Sequence, residues 1–166
     1  MDHVDHALQQ LRDAGHDLEI IACDPELADT AAFCAAYGYA PEDSANTIVV
    51  VGKSEPRVYA ACVVLATTRL DVNGVVRKRL GTRKASFAPG DESAQQTGMI
   101  SGGVTPFGLP EGLPVWIDSA VMGRDRIVLG GGGRDRKVLA SPEILEALPN
   151  NEVVVGLAKA IAERDG

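Results

Sequence analysis

The stretch Ala45 to Ala66, ANTIVVVGKSEPRVYAACVVLA, carries two strongly β-prone runs, Thr47 to Val51 and Val58 to Ala66. Branched side chains such as Val, Ile and Thr are stiff at χ1 and fit a pleated surface. Lys53, Ser54, Glu55 and Pro56 lie between the runs, so the segment reads as a β-hairpin.

Working outward, the residues before the hairpin read helix, strand, helix. Val4, Leu8 and Leu11 recur at helical spacing, and Gly15 follows as a stop. Leu18 to Ala22 is a short apolar strand. Asp24 offers an N-cap with Pro25 in the first helical position, and a helix carrying Leu27, Ala31 and Ala35 exits at Gly38.

After the hairpin, Asp71 caps a helix with Val72, Val75, Val76 and Leu80 on one face, and Gly81 ends it. Ala85 to Ala88 is a brief strand and Asp91 to Gln96 a short helix, which gives way to Thr97-Gly98. Ser101 to Pro114 is rich in Gly and Pro and reads as a loop. Val115 to Asp118, Ile127 to Leu129 and Val138 to Ala140 are short strands, the last two joined by a turn at Gly130 to Gly133. Ser141-Pro142 opens a helix through Leu148, followed by a strand at Val153 to Val155 and a final helix. Strands outnumber helices and do not alternate with them regularly. The expected fold is α+β, a mixed, largely antiparallel curled sheet or barrel with flanking helices, built as one domain over 1–166.

Composition narrows the classes of function. The chain has 166 residues, 45% of them hydrophobic but only 4% aromatic, so its core must be mostly Val, Ile, Leu and Ala. No run approaches the roughly 20 apolar residues that span a bilayer, and Met1 to Gln10 is polar and acidic, unlike a secretory signal. Cys23, Cys34 and Cys62 are odd in number and lack CxxC spacing, which fits reduced structural thiols in a cytoplasmic protein. His3, His6 and His16 all fall near the start and read as a solvated helix end in preference to a zinc site. The net charge of −7 is unevenly spread: residues 1–45 hold ten acids against the single base Arg12, whereas residues 46–137 hold thirteen bases and eight acids. A basic middle on an acidic chain can still hold a phosphate backbone locally.

Two glycine-rich segments are the places where chemistry can sit. GGVTPFGLP, Gly102 to Pro110, can bring bare amides close to a carbonyl or phosphate oxygen, or serve only as a turn. GGGGRDRK, Gly130 to Lys137, lacks both the GxGxxG spacing and the GK[ST] ending. It reads either as a solvated hairpin turn or as a turn that sets Arg134, Arg136 or Lys137 against a nucleic-acid backbone. Asp118 is either a polar anchor or a cap for the Ser119 to Met122 turn. No Ser-His-Asp or Cys-His set can be assembled, since every histidine precedes the glycine loops.

The order of motifs is more specific than any one of them. ANTIVVV (45–51), YAACVVLA (59–66), RLDVNGVVRKRLG (69–81), QTGMISGGVTPFGLP (96–110), LPVWID (113–118) and VLGGGGR (128–134) follow one another. This series resembles the YbaK/ProX family of aminoacyl-tRNA synthetase-associated domains, over about residues 20–148. The resemblance implies a deacylase that hydrolyses mischarged aminoacyl-tRNA in trans. It implies a tRNA acceptor end as partner, with a synthetase as a second one, and no metal, cofactor or membrane. Carried over by position, Asn46, Gly102 and Gly103 would be the catalytic set. Thr97, Gly98, Thr105, Pro106, Asp118, Gly131 and Arg134 would contact substrate. Typical members hold a lysine where this chain has Asn46, a neutral donor and acceptor. That departure raises an alternative, a non-catalytic module that binds a tRNA end or a nucleotide.

Overall fold

The computed structural model describes residues 3–100 and 103–161. Gly102, placed in the catalytic set by the motif match, lies outside the described residues. The chain opens with helix α1 (His3–Asp13), whose Val4, Leu8 and Leu11 are buried at the spacing of one helical face. Asp5 in its first turn and Arg12 in its last complement the helix dipole.

The Ala45–Ala66 segment forms the expected hairpin of β2 (Ala45–Gly52) and β3 (Val58–Leu65), antiparallel in the register Asn46↔Val64 to Gly52↔Val58. It is the centre of a five-stranded sheet ordered β5-β2-β3-β6-β9, with β5 at Ala85–Phe87, β6 at Val115–Asp118 and β9 at Asn151–Val154. The β3–β6 and β6–β9 pairings are parallel, so the sheet is mixed. A second, antiparallel sheet has the order β1-β8-β7, from Leu18–Ala22, Arg136–Ala140 and Ile127–Gly130. The pairs Val128↔Leu139 and Gly130↔Lys137 show the hairpin across the glycine turn. A third pairing joins β4 (Thr68–Leu70) to β10 (Ala158–Ala160).

Strand alternation explains why β3 is apolar throughout. Val63 and Leu65 enter one core with Leu8, Phe107, Ile117, Ile127, Leu129, Val138 and Leu145. Cys62 and Val64 enter the other, with Val50, Val76, Trp116 and Leu157. A small third cluster packs Phe33 against Cys23, Ala28 and Val128. Both faces of the main sheet are therefore covered.

One of the two expected sheet forms falls away, and two expectations are corrected. The sheets do not close into a barrel; β7 meets the main sheet through the single bridge Ser44↔Val128. The helix expected after Asp24 is broken in two. Asp24 caps only the short turn Pro25–Leu27, and α2 (Thr30–Tyr37) starts afresh after Asp29 and ends at Gly38 with φ 79°. In place of a final helix, Ala158–Ala160 pairs with β4, because Leu157 is drawn fully into the second core and its neighbours then fall on a free strand edge. Tertiary burial has overridden the helical preference of Ala and Lys.

Of the remaining helical pieces, the one after Asp71 has the cap read from the sequence. Asp71 accepts from the Gly74 amide to start a wide turn that tightens into α3 (Arg77–Leu80), and α4 spans Gly90–Thr97. Ser119–Met122 forms α5 after Asp118. Ile117 is fully buried on a central strand, so Ile117→Ala should lower the unfolding free energy by about 2–5 kcal/mol in urea denaturation. Val155 is 85% exposed, and Val155→Ser should change it by less than about 0.5 kcal/mol.

Candidate functional site

The site is defined by what β2 fails to pair with. Its far half is bonded to β5 from Val50↔Phe87 to Gly52↔Ala85, and the Ala88 amide donates to the Val49 carbonyl at 2.9 Å. At its other end β2 turns to β7 at the Ser44↔Val128 bridge. Between these points its outer edge borders a cavity of about 480 Å³. Val49 turns its carbonyl to the β5 side, while the Ser44 carbonyl accepts from the Ala66 amide on the β3 side. By strand alternation the backbone N–H and C=O of Thr47 must face the open edge.

Asn46 and Thr47 lie on that edge, on opposite faces of the sheet. Asn46 Oδ1 accepts from Thr30 Oγ1 at 2.6 Å, which orients the amide and turns its Nδ2 donors away from Thr30. Thr47 Oγ1 is buried and has no hydrogen-bond partner among the described residues. A buried hydroxyl left unpaired costs on the order of 1–3 kcal/mol, so Thr47 carries a local stability cost.

The opposite wall is built by α2 and β8. Lys137, only 6% exposed, reaches from β8 to the Ala28 carbonyl at 2.5 Å just ahead of α2. Its ammonium lies 5.7 Å from the centre of the Phe33 ring, which stacks in turn on Tyr37 and Tyr39. Burial pushes the Lys137 pKa below the usual lysine value. Asp29, Thr30, Phe87, Ser93 and Val104 complete much of the lining. Asp29 is the one carboxylate among the described lining residues, and none of them is a histidine.

The two glycine-rich segments pack backbone against backbone beside this wall. A Cβ on Gly103 would strike Gly133 within 2.9 Å, and one on Gly130 would overlap the Val104 carbonyl oxygen. The Gly132 amide donates to the Gly103 carbonyl at 2.7 Å. This close approach presents Val104 to the cavity.

The expected site residues therefore divide. Asn46 borders the cavity, and the glycine loop reaches it through Val104. The Gly103 amide donates to the Ile100 carbonyl at 3.0 Å, so it is already engaged within the loop. Thr97 Oγ1 binds the Ser93 carbonyl and accepts from the Met99 amide, and Gly98 ends α4 with φ 73°. Thr105 is fully buried, accepts from the Phe107 amide and does not line the cavity. Pro106 borders a different hollow, with His3, His6 and Leu109.

Asp118 is 2% exposed and accepts from the Ala158 amide at 3.3 Å without capping α5, so of its two readings the structure gives the anchor. The Gly131 carbonyl accepts from Arg136 Nε, and Arg134 Nε donates to the Pro25 carbonyl beside Asp29. Those positions brace the site from outside the cavity. Thr30, Thr47, Phe87, Ser93 and the wall position of Lys137 do not stand out in the sequence. A strand extended back from Val138 to Arg136 would have flagged Lys137 as a cation placed inside a pairing ladder.

This mixed α+β fold is shared with solved structures. A hypothetical protein aligns with TM-score 0.81 at 20% identity, over 95% of this chain and all of that one. A protein described as "a putative trans-editing enzyme for prolyl tRNA synthetase" aligns with TM-score 0.79 at 23% identity, over 96% of each chain. A scaffold protein from computational epitope grafting aligns with TM-score 0.78 at 23% identity, again over 96% of each. At these identities the likeness establishes the fold. The model of the aminoacyl-tRNA editing domain matches residues 24–148, and the chain belongs to that family.

Lys137 also makes stability depend on pH. Its folded pKa lies below the ordinary 10.5, so between those values the unfolded chain binds more protons. Stability at this residue should thus rise with pH through that window, the burial cost of the ammonium being fully present below it. Urea titrations at stepped pH should show a smaller rise for Lys137→Met than for wild type. Equal slopes would assign the rise to other groups.

Proposed function

We propose that the chain is a trans-acting aminoacyl-tRNA deacylase whose substrate ester enters the cavity along the open edge of β2. The observation that carries this reading is the outer edge of β2 left unpaired ahead of β5, where Asn46 lines the same cavity as Lys137. The cavity volume lies in the range of small-ligand sites and suits a terminal nucleoside bearing an amino acid.

In the reaction a water oxygen attacks the ester carbonyl carbon, and the carbon–oxygen bond to the ribose breaks. The ribose oxygen leaves with a proton, giving free amino acid and uncharged tRNA. Negative charge builds on the carbonyl oxygen before the bond breaks. Fixed donors at that oxygen lower the barrier, more so in a site shielded from water. Asn46 Nδ2, the Thr47 backbone amide and Lys137 Nζ supply such donors. With no histidine in the described lining and Asp29 facing Arg134, a ribose hydroxyl of the substrate is the group placed to receive the proton from water. Membership in the aminoacyl-tRNA editing family supports the deacylase reading.

The alternative is a module that binds the tRNA end without turnover. It is favoured by one feature, the neutral amide of Asn46 held by Thr30 where the resembled motif carries a cation. Purified protein incubated with a panel of mischarged tRNAs separates the two. Release of amino acid by wild type is expected, with Asn46→Ala reducing kcat/KM by about 3- to 10-fold, the scale of one neutral hydrogen bond. Thr47→Val should leave the fold as stable or more so in urea denaturation, since it removes an unsatisfied polar atom. Release only by Asn46→Lys would establish the binding module, and release by neither would remove the deacylase.

A further inference from the structure

Residues 77–84, RKRLGTRK, hold five bases and no acid, and the fold brings a further base to them. The Lys53 amide donates to the Lys84 carbonyl at 2.9 Å, which sets the turn of the β2–β3 hairpin beside Arg83-Lys84. The Thr82 amide reaches the Arg77 carbonyl, and the Gly81 amide reaches those of Arg77 and Lys78, folding α3 onto the same corner. Arg79 is engaged by Glu152 and lies 5.1 Å over the ring of Trp116. By contrast Lys53, Lys78, Arg83 and Lys84 are exposed and have no carboxylate partner among the described residues.

This corner is continuous with the cavity. From Lys84 the chain enters β5, and three residues later Phe87 borders the cavity while remaining 55% exposed. At the rise of a strand that separation is about 10 Å. An exposed aromatic ring at a cavity mouth, with a cluster of uncompensated cations on its outer side, is the arrangement that holds single-stranded nucleic acid. Bases stack on the ring while phosphates run past the cations.

We propose that Lys53, Lys78, Arg83, Lys84 and Phe87 form a docking track for the unpaired 3′ end of an RNA whose last nucleoside enters the cavity. The assignment rests on the deacylase reading and extends it by naming the surface that holds the rest of the substrate. The track fixes the order of binding along the strand: terminal nucleoside inside, the adjoining base on Phe87, and the phosphates before it on the β2–β3 turn and α3.

The test is a salt titration of binding to uncharged tRNA, with and without its unpaired 3′ nucleotides, so that it needs no turnover. For a single strand, deleting one cation that neutralises a phosphate should reduce the slope of log affinity against log salt by about 0.7. The combined variant Lys53→Ala, Arg83→Ala, Lys84→Ala should thus flatten the slope by about 2 and weaken binding at least 10-fold at low salt. Phe87→Ala should weaken binding by about 5- to 100-fold, with Phe87→Trp restoring it.

These changes should vanish for tRNA lacking its 3′ nucleotides. A wild-type slope in the triple variant, or an equal weakening on trimmed tRNA, would overturn the track. Circular dichroism confirms that the surface variants are folded. Failure of wild type to release amino acid, with the binding pattern intact, would remove the deacylase and leave the track standing.

Discussion

A half-paired strand governs this molecule. β2 is bonded along its whole length to β3, but on the other side only its last three residues pair with β5. Backbone polar groups in a folded interior are nearly always paired, and a strand edge left open is a reactive surface that proteins usually cover. Here the gap is kept open by its neighbours. α2 with the end of β8 forms one side, β5 with α4 the other, and Val104 approaches across the top. Packing holds these walls in place: Phe33 in its small cluster, and the backbone contact between the two glycine segments.

Those glycine contacts also change how the sequence is understood. The first segment reads as a candidate cradle for an oxygen ligand, because glycine exposes amides, and the second as a turn that could set basic side chains against a nucleic-acid backbone. In the structure their small size serves a nearer purpose, letting two loops touch at backbone distance, and one amide expected to be a donor is bonded to Ile100. The polar groups that remain for a ligand come instead from a strand edge and from strand side chains, where rigidity is greatest.

How legible is this from the residues alone? The hairpin at Ala45–Ala66 is plain, because branched apolar runs of that length have few other solutions and the turn between them is polar. The caps at Asp71, Gly38 and Gly81 are equally plain, being local chemistry. The tail at Ala158–Ala160 is not, since its state depends on Leu157 finding a core that no local pattern describes. For the site, Asn46 is legible only through the resemblance, which marks it as the position where the family carries a lysine. Thr47 is not, because an unpaired hydroxyl is a property of the surroundings and not of the residue. Lys137 stands out for its charge, but its burial depends on β1 and β7 flanking β8, a long-range pairing.

The contact of Arg79 with Trp116 has a practical side. This is the chain's one tryptophan, 7% exposed, and it lies under a guanidinium that belongs to the same short helix as Lys78. Indole emission is sensitive to a cation held over the ring, so any polyanion that draws on that helix perturbs an optical signal already built into the core. The molecule thus carries its own fluorophore at the border between its second core and its most basic corner, readable without a label.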